Sequence, residues 1–396
     1  MKKEIKTKII NNSIKTKIIN EPIKTKIISN NLKTKIINTK TKNKISQKNK
    51  IINMLIPPEM RGGHIREIAV EEKKSLNIVS YIDNKKREIF LKKKINTGSY
   101  NSIYSFSRKK SHKIDPNLII RISNKDSTVE NINTELKGIK TQYNLCLGDN
   151  NIGNIVDYGM LHNPSINNRF RLQEYSIIEK YGIDLKKILE NSPKYNNIGV
   201  VIQFMKNLLK DINYIHINNY AHLDLKPSNI LMRNINSIPK TPISKLEYAI
   251  VDFGAAQKFN NNKSKIIDNQ MASAAFSPPE LLNRKFGKKS DIWAYGIICY
   301  LTIVRKFYFK AKAQQIFMSK NPKEIKRNVG RAIDNLFKNI IPKYIKSDKQ
   351  INEYLFPLDK STFYLLQDFL KQIFTTKLEQ RPDSTILLKH QLFNFV

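Results

Sequence analysis

His222-Leu223-Asp224-Leu225-Lys226-Pro227-Ser228-Asn229 places an acid, a cation and an amide at fixed offsets inside one tight loop. Asp224 can accept a hydroxyl proton, Lys226 can steady a phosphate, and Asn229 can hold a metal ion. Phosphoryl transfer needs these three roles close together, because its catalysis rests on positioning and charge stabilisation. Further along lies Asp252-Phe253-Gly254, directly after the short apolar run Tyr248 to Val251. A carboxylate at the end of a buried strand suits Mg²⁺, a hard ion bound through few protein carboxylates together with phosphate oxygens.

The loop resembles the catalytic loop of the eukaryotic-type protein kinases, whose pattern is H-R-D-x-x-x-x-N, with Leu223 where the family has Arg. Asp252-Phe253-Gly254 matches the family's D-F-G, and Ser277-Pro278-Pro279-Glu280 resembles its A-P-E, with Ser273 at the place of a preceding Thr or Ser. Ser290-Asp291-Ile292-Trp293 resembles the start of the central helix, whose Asp holds the catalytic-loop backbone. Arg381-Pro382-Asp383 resembles the late Arg that pairs with the Glu of A-P-E, a partner that a buried Glu280 would need. The resemblance covers residues 88–396, and Lys226 points to the Ser/Thr group. It implies an α+β, bilobal protein-kinase fold. A small antiparallel-sheet lobe with one main helix is expected over about 88–180, and a larger helical lobe over about 181–396.

The small lobe departs from the pattern. The family's Gly-rich G-x-G-x-x-G aligns with Asn96-Thr97-Gly98-Ser99-Tyr100-Asn101, which keeps one glycine. Asn is the next best residue for positive φ, so the hairpin is expected to form with Asn in the glycine places. The strand-three Lys of V-A-I-K aligns with Arg121, whose expected partner on the next helix is Glu135, with Glu130 as second choice. Arg and Lys are not interchangeable at such a site. A lysine among Lys92 to Lys94, Lys109 and Lys110 is a second route to the same role. Ile178-Glu179-Lys180-Tyr181 resembles the segment whose backbone reads adenine.

By resemblance, then, Asp224 and Lys226 are the catalytic residues, and ATP and Mg²⁺ are the cofactors. The nucleotide set is Asn96, Gly98, Ile103, Arg121, Glu135, Glu179, Tyr181, Asn229 and Asp252, with Asn229 and Asp252 on the metal. Two functions are expected: a Ser/Thr kinase acting on protein hydroxyls, or a nucleotide-binding or inactive pseudokinase serving as a binding module. The intact acidic and metal-binding residues favour the first, Arg121 and the thinned glycine loop the second. Leu223 cannot make charge-assisted bonds to a phosphorylated activation loop, so activity is expected not to depend on that clamp.

Patterning supplies the elements. Glu88 to Ile95, Ser102 to Phe106, Asn117 to Ser123 and Arg171 to Lys180 read as strands. Asn131 to Leu147, Ile183 to Leu189, Ile198 to Ile217, Ser290 to Val304, Ser361 to Thr375 and Ser384 to Phe395 read as helices. Residues 233–245, with Pro239 and Pro242, read as a surface loop between two short strands. Residues 305–360 read as an insertion of basic helices.

The chain has 396 residues and a formal net charge of +37, with 40% hydrophobic residues, enough for a sizeable core. Its first fifty residues hold 15 Lys against Glu4 and Glu21. A general drift toward Lys, Asn and Ile explains the charge better than a dedicated basic groove. Residues 5–37 repeat Ile-Lys-Thr-Lys-Ile-Ile every nine residues, the last copy opening on Leu32. This period fits no usual solenoid, so residues 1–50 are read as a disordered basic arm. Weak attachment to nucleic acid or an anionic surface is its minority reading. Residues 51–87 are taken as a connector, opened by Pro57-Pro58 and Gly62-Gly63. Cys146 and Cys299 read as small buried hydrophobes of a reducing compartment. The apolar run from Ala294 to Val304 is too short to span a membrane, and the N-terminus has no apolar signal core. The expectation is a soluble, cytoplasmic protein.

Overall fold

The computed structural model describes residues 28–29, 32–33, 75–97, 101–109, 113–124, 129–148, 150–161, 173–191, 198–232, 247–260, 264–267, 273–304, 321–335, 337–338 and 360–395. Two compact units emerge, one of residues up to Lys137 with Val156–Ile178, the other of Gly138–Ile155 with Glu179–Val396. The first is strand-rich and the second helical, the α+β class expected. Residues 138–155, expected with the sheet, belong to the helical unit.

In the basic arm, Ile28–Ser29 (β1) pairs antiparallel with Leu32–Lys33 (β2); the expected disorder of the arm otherwise lies outside the described residues. The strand-rich unit is a closed barrel of Ser75–Ser80 (β3), Lys86–Thr97 (β4), Asn101–Ser107 (β5), Leu118–Ser123 (β6), Ile155–Leu161 (β7) and Glu174–Glu179 (β8), in the order β3-β4-β5-β6-β8-β7. Alternation explains the core: Leu76 and Ile78 of β3, Ile89 and Leu91 of β4, and Tyr104 and Phe106 of β5 all point inward. Strand β3 corrects the sequence reading, which puts its residues in the connector. Its partners are Lys86–Phe90 on one edge and Gly159–Leu161 on the other. Gly159 is required there, since a Cβ would lie 2.0 Å from Val79 O.

The helical unit is built on Ile198–Ile217 (α3) and Lys288–Val304 (α4). Helix α3 buries Val201, Met205, Leu208, Ile212 and Ile215, an i, i+3/i+4 stripe. Helix α4 is buried nearly all round, which is why its sequence is almost continuously apolar. Two of its polar groups bond nearby carbonyls: Tyr295 Oη donates to Met205 O at 2.9 Å, and Thr302 Oγ1 to Ile298 O at 2.8 Å. Val129–Leu145 (α1) and Leu185–Asn191 (α2) precede them in the chain. Short strands complete the unit: Tyr220–Ala221 (β9), Ile230–Met232 (β10), Tyr248–Ile250 (β11), Gln257–Lys258 (β12), Lys265–Ile266 (β13) and Lys285–Phe286 (β14).

Pro322–Asn335 (α5), Lys360–Ile373 (α6) and Ser384–Leu388 (α7) follow. Of the expected basic insertion, α5 is described, opened by Pro at its first position and by Asn321 Oδ1 accepting from Lys323 N at 2.9 Å. The helix expected over Ser384 to Phe395 is interrupted. Asp383 caps its start by accepting from Ile386 N, and the chain resumes as a 3₁₀ turn over Gln391–Phe395 after His390 Nδ1 takes the Leu392 N–H. Cys299 is buried, and burial pushes its thiol up; Cys146, expected inside, is part-exposed. No helix among the described residues is long and apolar enough to cross a membrane.

Candidate active site

Helix α3 delivers the chain to the loop of interest. After a left-handed turn at Asn219, β9 pairs with β12. The Asp291 carboxylate, in the first turn of α4, then accepts from His222 N at 2.7 Å and Leu223 N at 2.8 Å, and meets His216 Nε2 at 3.0 Å. These bonds, with burial against Phe259 and Phe286, hold Leu223 at φ 61°, a region costly for a residue with a Cβ. The His222 ring ties the loop to the next segment. Asp224 N donates to Nδ1 at 3.3 Å, which leaves Nε2 to donate to Val251 O at 3.0 Å.

Asp224 sits where two segments meet. Its Oδ2 accepts from Lys226 Nζ at 2.6 Å and its Oδ1 from Ser273 N at 3.0 Å. Lys226 Nζ also reaches Ser273 Oγ at 2.9 Å, so acid, ammonium and hydroxyl converge. Asn229 Nδ2 donates to Asp224 O at 3.0 Å, which leaves Oδ1 as the atom of that amide able to meet a cation. Antiparallel pairing of β10 with β11 and the Val251 N to Asn229 O bond of 3.0 Å set Asn229 beside the chain at Asp252.

Asp252 adopts a left-handed φ of 68°, and its N–H donates to Gln142 Oε1 at 3.2 Å. Gln142 Nε2 in turn donates to Gly153 O at 2.7 Å. Gly138 admits the Asp-Phe-Gly turn: a Cβ there would lie 2.7 Å from Gly254 Cα and 2.8 Å from Phe253 O. Behind the site, buried Arg381 grips buried Glu280, whose Oε1 also accepts from Ser290 Oγ at 2.9 Å.

The strand-rich unit gathers a second group. Arg121 Nη2 meets Glu135 Oε2 at 3.1 Å. Ile103 stands opposite Arg121 across β5 and β6, and Asn96 opposite Ile103 across β4 and β5. Gly98 lies outside the described residues. Asn96 and Asn101 do not take the positive φ expected of them. Both are extended, because the ladder, with Thr97 opposite Ser102, runs up to them. Of the alternative lysines, Lys94 lies over the Tyr104 ring, 5.8 Å from its centroid.

Glu174 is 3% exposed, and among the described residues its Oε2 has no hydrogen-bond partner. Burial, reinforced by the charge of Glu135, pushes its carboxyl up to about 7. In the helical unit, Glu179 N donates to Asn154 O at 3.1 Å. Tyr181 Oη accepts from Asn154 N at 3.1 Å and donates to Glu179 Oε2 at 3.3 Å.

A family model described as the protein kinase domain matches residues 89–393. The chain belongs to the protein kinase family. Among curated relatives, this kinase is 31% identical to cyclin-dependent kinase C-3 of Oryza sativa subsp. japonica, over 38% of its own length and 43% of that protein. It is 31% identical to cyclin-dependent kinase 12 of Drosophila melanogaster over 35% of its length and 12% of the relative. With striated muscle preferentially expressed protein kinase of Danio rerio it shares 30% identity over 30% of its length and 4% of the relative. The chain spans less than half the length of these relatives.

Sequence reasoning overlooked two residues of this kinase, Gly138 and Gln142, and gave Ser273 no contact. A glycine inside a helical pattern, about 1 kcal/mol worse than Ala, was the available signal for Gly138. Gln142 carried none, since an amide on a helix face reads as solvated until the fold brings Asp252 N to it.

Proposed function

We propose that the chain transfers the γ-phosphoryl group of ATP to a Ser or Thr hydroxyl of a protein substrate. The observation that carries this is the convergence of Lys226 on both Asp224 and Ser273. An acid alone is common; an acid held by an ammonium that also bonds the segment before Ser277-Pro278-Pro279-Glu280 is a substrate-orienting device.

Asp224 orients the acceptor hydroxyl and takes its proton late in the transfer. Lys226 lies close enough to Asp224 to neutralise charge on the group in flight while tethered to Ser273. Asn229 and Asp252 would hold Mg²⁺, since an amide oxygen and a carboxylate on adjoining backbone suit a hard ion that takes its other ligands from phosphate oxygens and water. Bound there, the ion supplies charge neutralisation on the phosphates. The Arg121–Glu135 ion pair aligns with the family's Lys and Glu, and we assign it to the nucleotide phosphates. The free thiols Cys146 and Cys299 suit a reducing, intracellular setting.

A second reading, a nucleotide-binding module without turnover, draws on Arg121 itself. One assay separates the two: γ-phosphoryl transfer to a generic protein substrate with Mg²⁺, comparing wild type, Asp224→Asn and Arg121→Lys. Turnover by wild type, lowered about 10²–10⁴-fold in Asp224→Asn, supports the kinase reading. Silence of wild type and Asp224→Asn alike, with turnover gained in Arg121→Lys, supports the binding module.

A further inference from the structure

The Arg121 guanidinium has a second partner besides Glu135. With the Asn101 amide turned so that its oxygen faces the guanidinium, Oδ1 accepts from Arg121 Nε at 3.0 Å and from Nη2 at 2.6 Å. The ladder explains the meeting: Ile103 is directly opposite Arg121, so Asn101, two residues before it, is the diagonal neighbour on the same face. One edge of the guanidinium fork, Nε with Nη2, is therefore taken by a neutral oxygen, and Nη2 also meets the Glu135 carboxylate. Asn101 takes the Nε-side hydrogen of Nη2, which leaves the other Nη2 hydrogen for Glu135 and the Nη1 donors beyond the anchored edge.

We propose that Asn101 is a positioning residue that fits an arginine, rather than a lysine, to the nucleotide phosphates, by fixing the Nε/Nη2 edge and turning Nη1 toward phosphate oxygen. The inference rests on the assignment of Arg121 to the phosphates made above. The chemistry is specific to the fork. A lysine ammonium has no second edge to anchor, whereas an arginine needs one because its charge is spread over a plane on a longer stem. A neutral acceptor is also the right kind, since it orients the guanidinium without cancelling the charge that the phosphate must meet. An aspartate in place of Asn101 would hold the same edge and neutralise it.

The test is a double-mutant cycle read on nucleotide binding. Full-length wild type, Asn101→Ala, Arg121→Lys and the double variant are titrated with Mg²⁺ and a non-hydrolysable ATP analogue, with thermal melts and transfer assays in parallel. Asn101→Ala is expected to weaken binding roughly five- to tenfold when Arg121 is present, and less than about twofold in the Arg121→Lys background. Asn101→Asp is expected to melt no lower than wild type yet to bind the analogue more weakly. Equal losses in both backgrounds, or none in either, overturn the proposal. Coupled binding without any phosphoryl transfer overturns the kinase reading and leaves this inference standing. A wild type that binds no analogue overturns the role given to Arg121 and this inference with it.

Discussion

Arg381 holds the Glu280 carboxylate by two parallel hydrogen bonds, Nη1 to Oε1 at 2.8 Å and Nη2 to Oε2 at 2.9 Å, although the two stand 101 positions apart in the chain. Two further donors reach Thr375 O and Lys289 O, and its Cζ lies 5.1 Å from the Trp293 ring centroid. Removing one partner leaves a buried charge alone. Arg381→Met is expected to destabilise the helical unit by about 3–5 kcal/mol, and Arg381→Met with Glu280→Leu by distinctly less. Urea unfolding of the three proteins measures this. A single variant within about 1 kcal/mol of wild type contradicts it.

Leu223 gives a prediction about control. It shares a buried cluster with Ala221, Phe259 and Phe286, and β12 and β13 bring the segment after Asp-Phe-Gly to that cluster. Apolar packing stands where a charged clamp would otherwise be. Phosphatase treatment is therefore expected to leave turnover unchanged, whereas Leu223→Ala is expected to cost about 2–4 kcal/mol of stability. Turnover abolished by phosphatase and restored by a phosphomimetic within residues 255–273 would falsify this account.

Glu174 predicts a pH dependence of stability. Its folded value of about 7 lies above the ordinary 4.5, so the fold favours the protonated carboxyl. Stability from this group is present below about pH 4.5 and is lost as pH rises through about 7. The loss is on the order of 3 kcal/mol. Glu174→Gln is expected to melt above wild type at about pH 8 and close to it at about pH 5. An equal gap at both values counts against a buried neutral carboxyl.

The parts of this kinase that could be read from sequence are those whose chemistry is local. His222 to Asn229 carries its roles within one loop, and the helix of Ile198 to Ile217 shows its buried stripe without any neighbour. Strand β3 carried a partial signal, since Leu76 and Ile78 alternate with polar residues, but its partners on β4 and β7 were needed to override the connector reading. The same holds for Asn96 and Asn101: propensity favoured a turn, and the ladder of β4 with β5 prevailed. Glu280 and Arg381 were legible despite their distance because the family resemblance pairs them, and a buried carboxylate needs such a partner. Gln142 and Asn101 were not, because a neutral amide demands nothing in particular.

Gly138 supplies the last prediction, and it concerns the turn that carries Asp252. Helix α1 passes so close to Phe253 O and Gly254 Cα that the added methyl of an alanine would collide with backbone, which cannot step aside as a side chain does. Alanine is the better helix former by about 1 kcal/mol, so propensity alone predicts a more stable protein. Overpacking against backbone predicts the reverse, a net loss of about 1–3 kcal/mol. It also predicts a shift of the Asp252 carboxylate away from Asn229, and therefore a weaker response to Mg²⁺. Gly138→Ala should need several-fold more Mg²⁺ for half-maximal nucleotide binding while α1 keeps its helicity by circular dichroism. A variant that gains stability and keeps its Mg²⁺ requirement would mean that the close approach of α1 does not hold the turn.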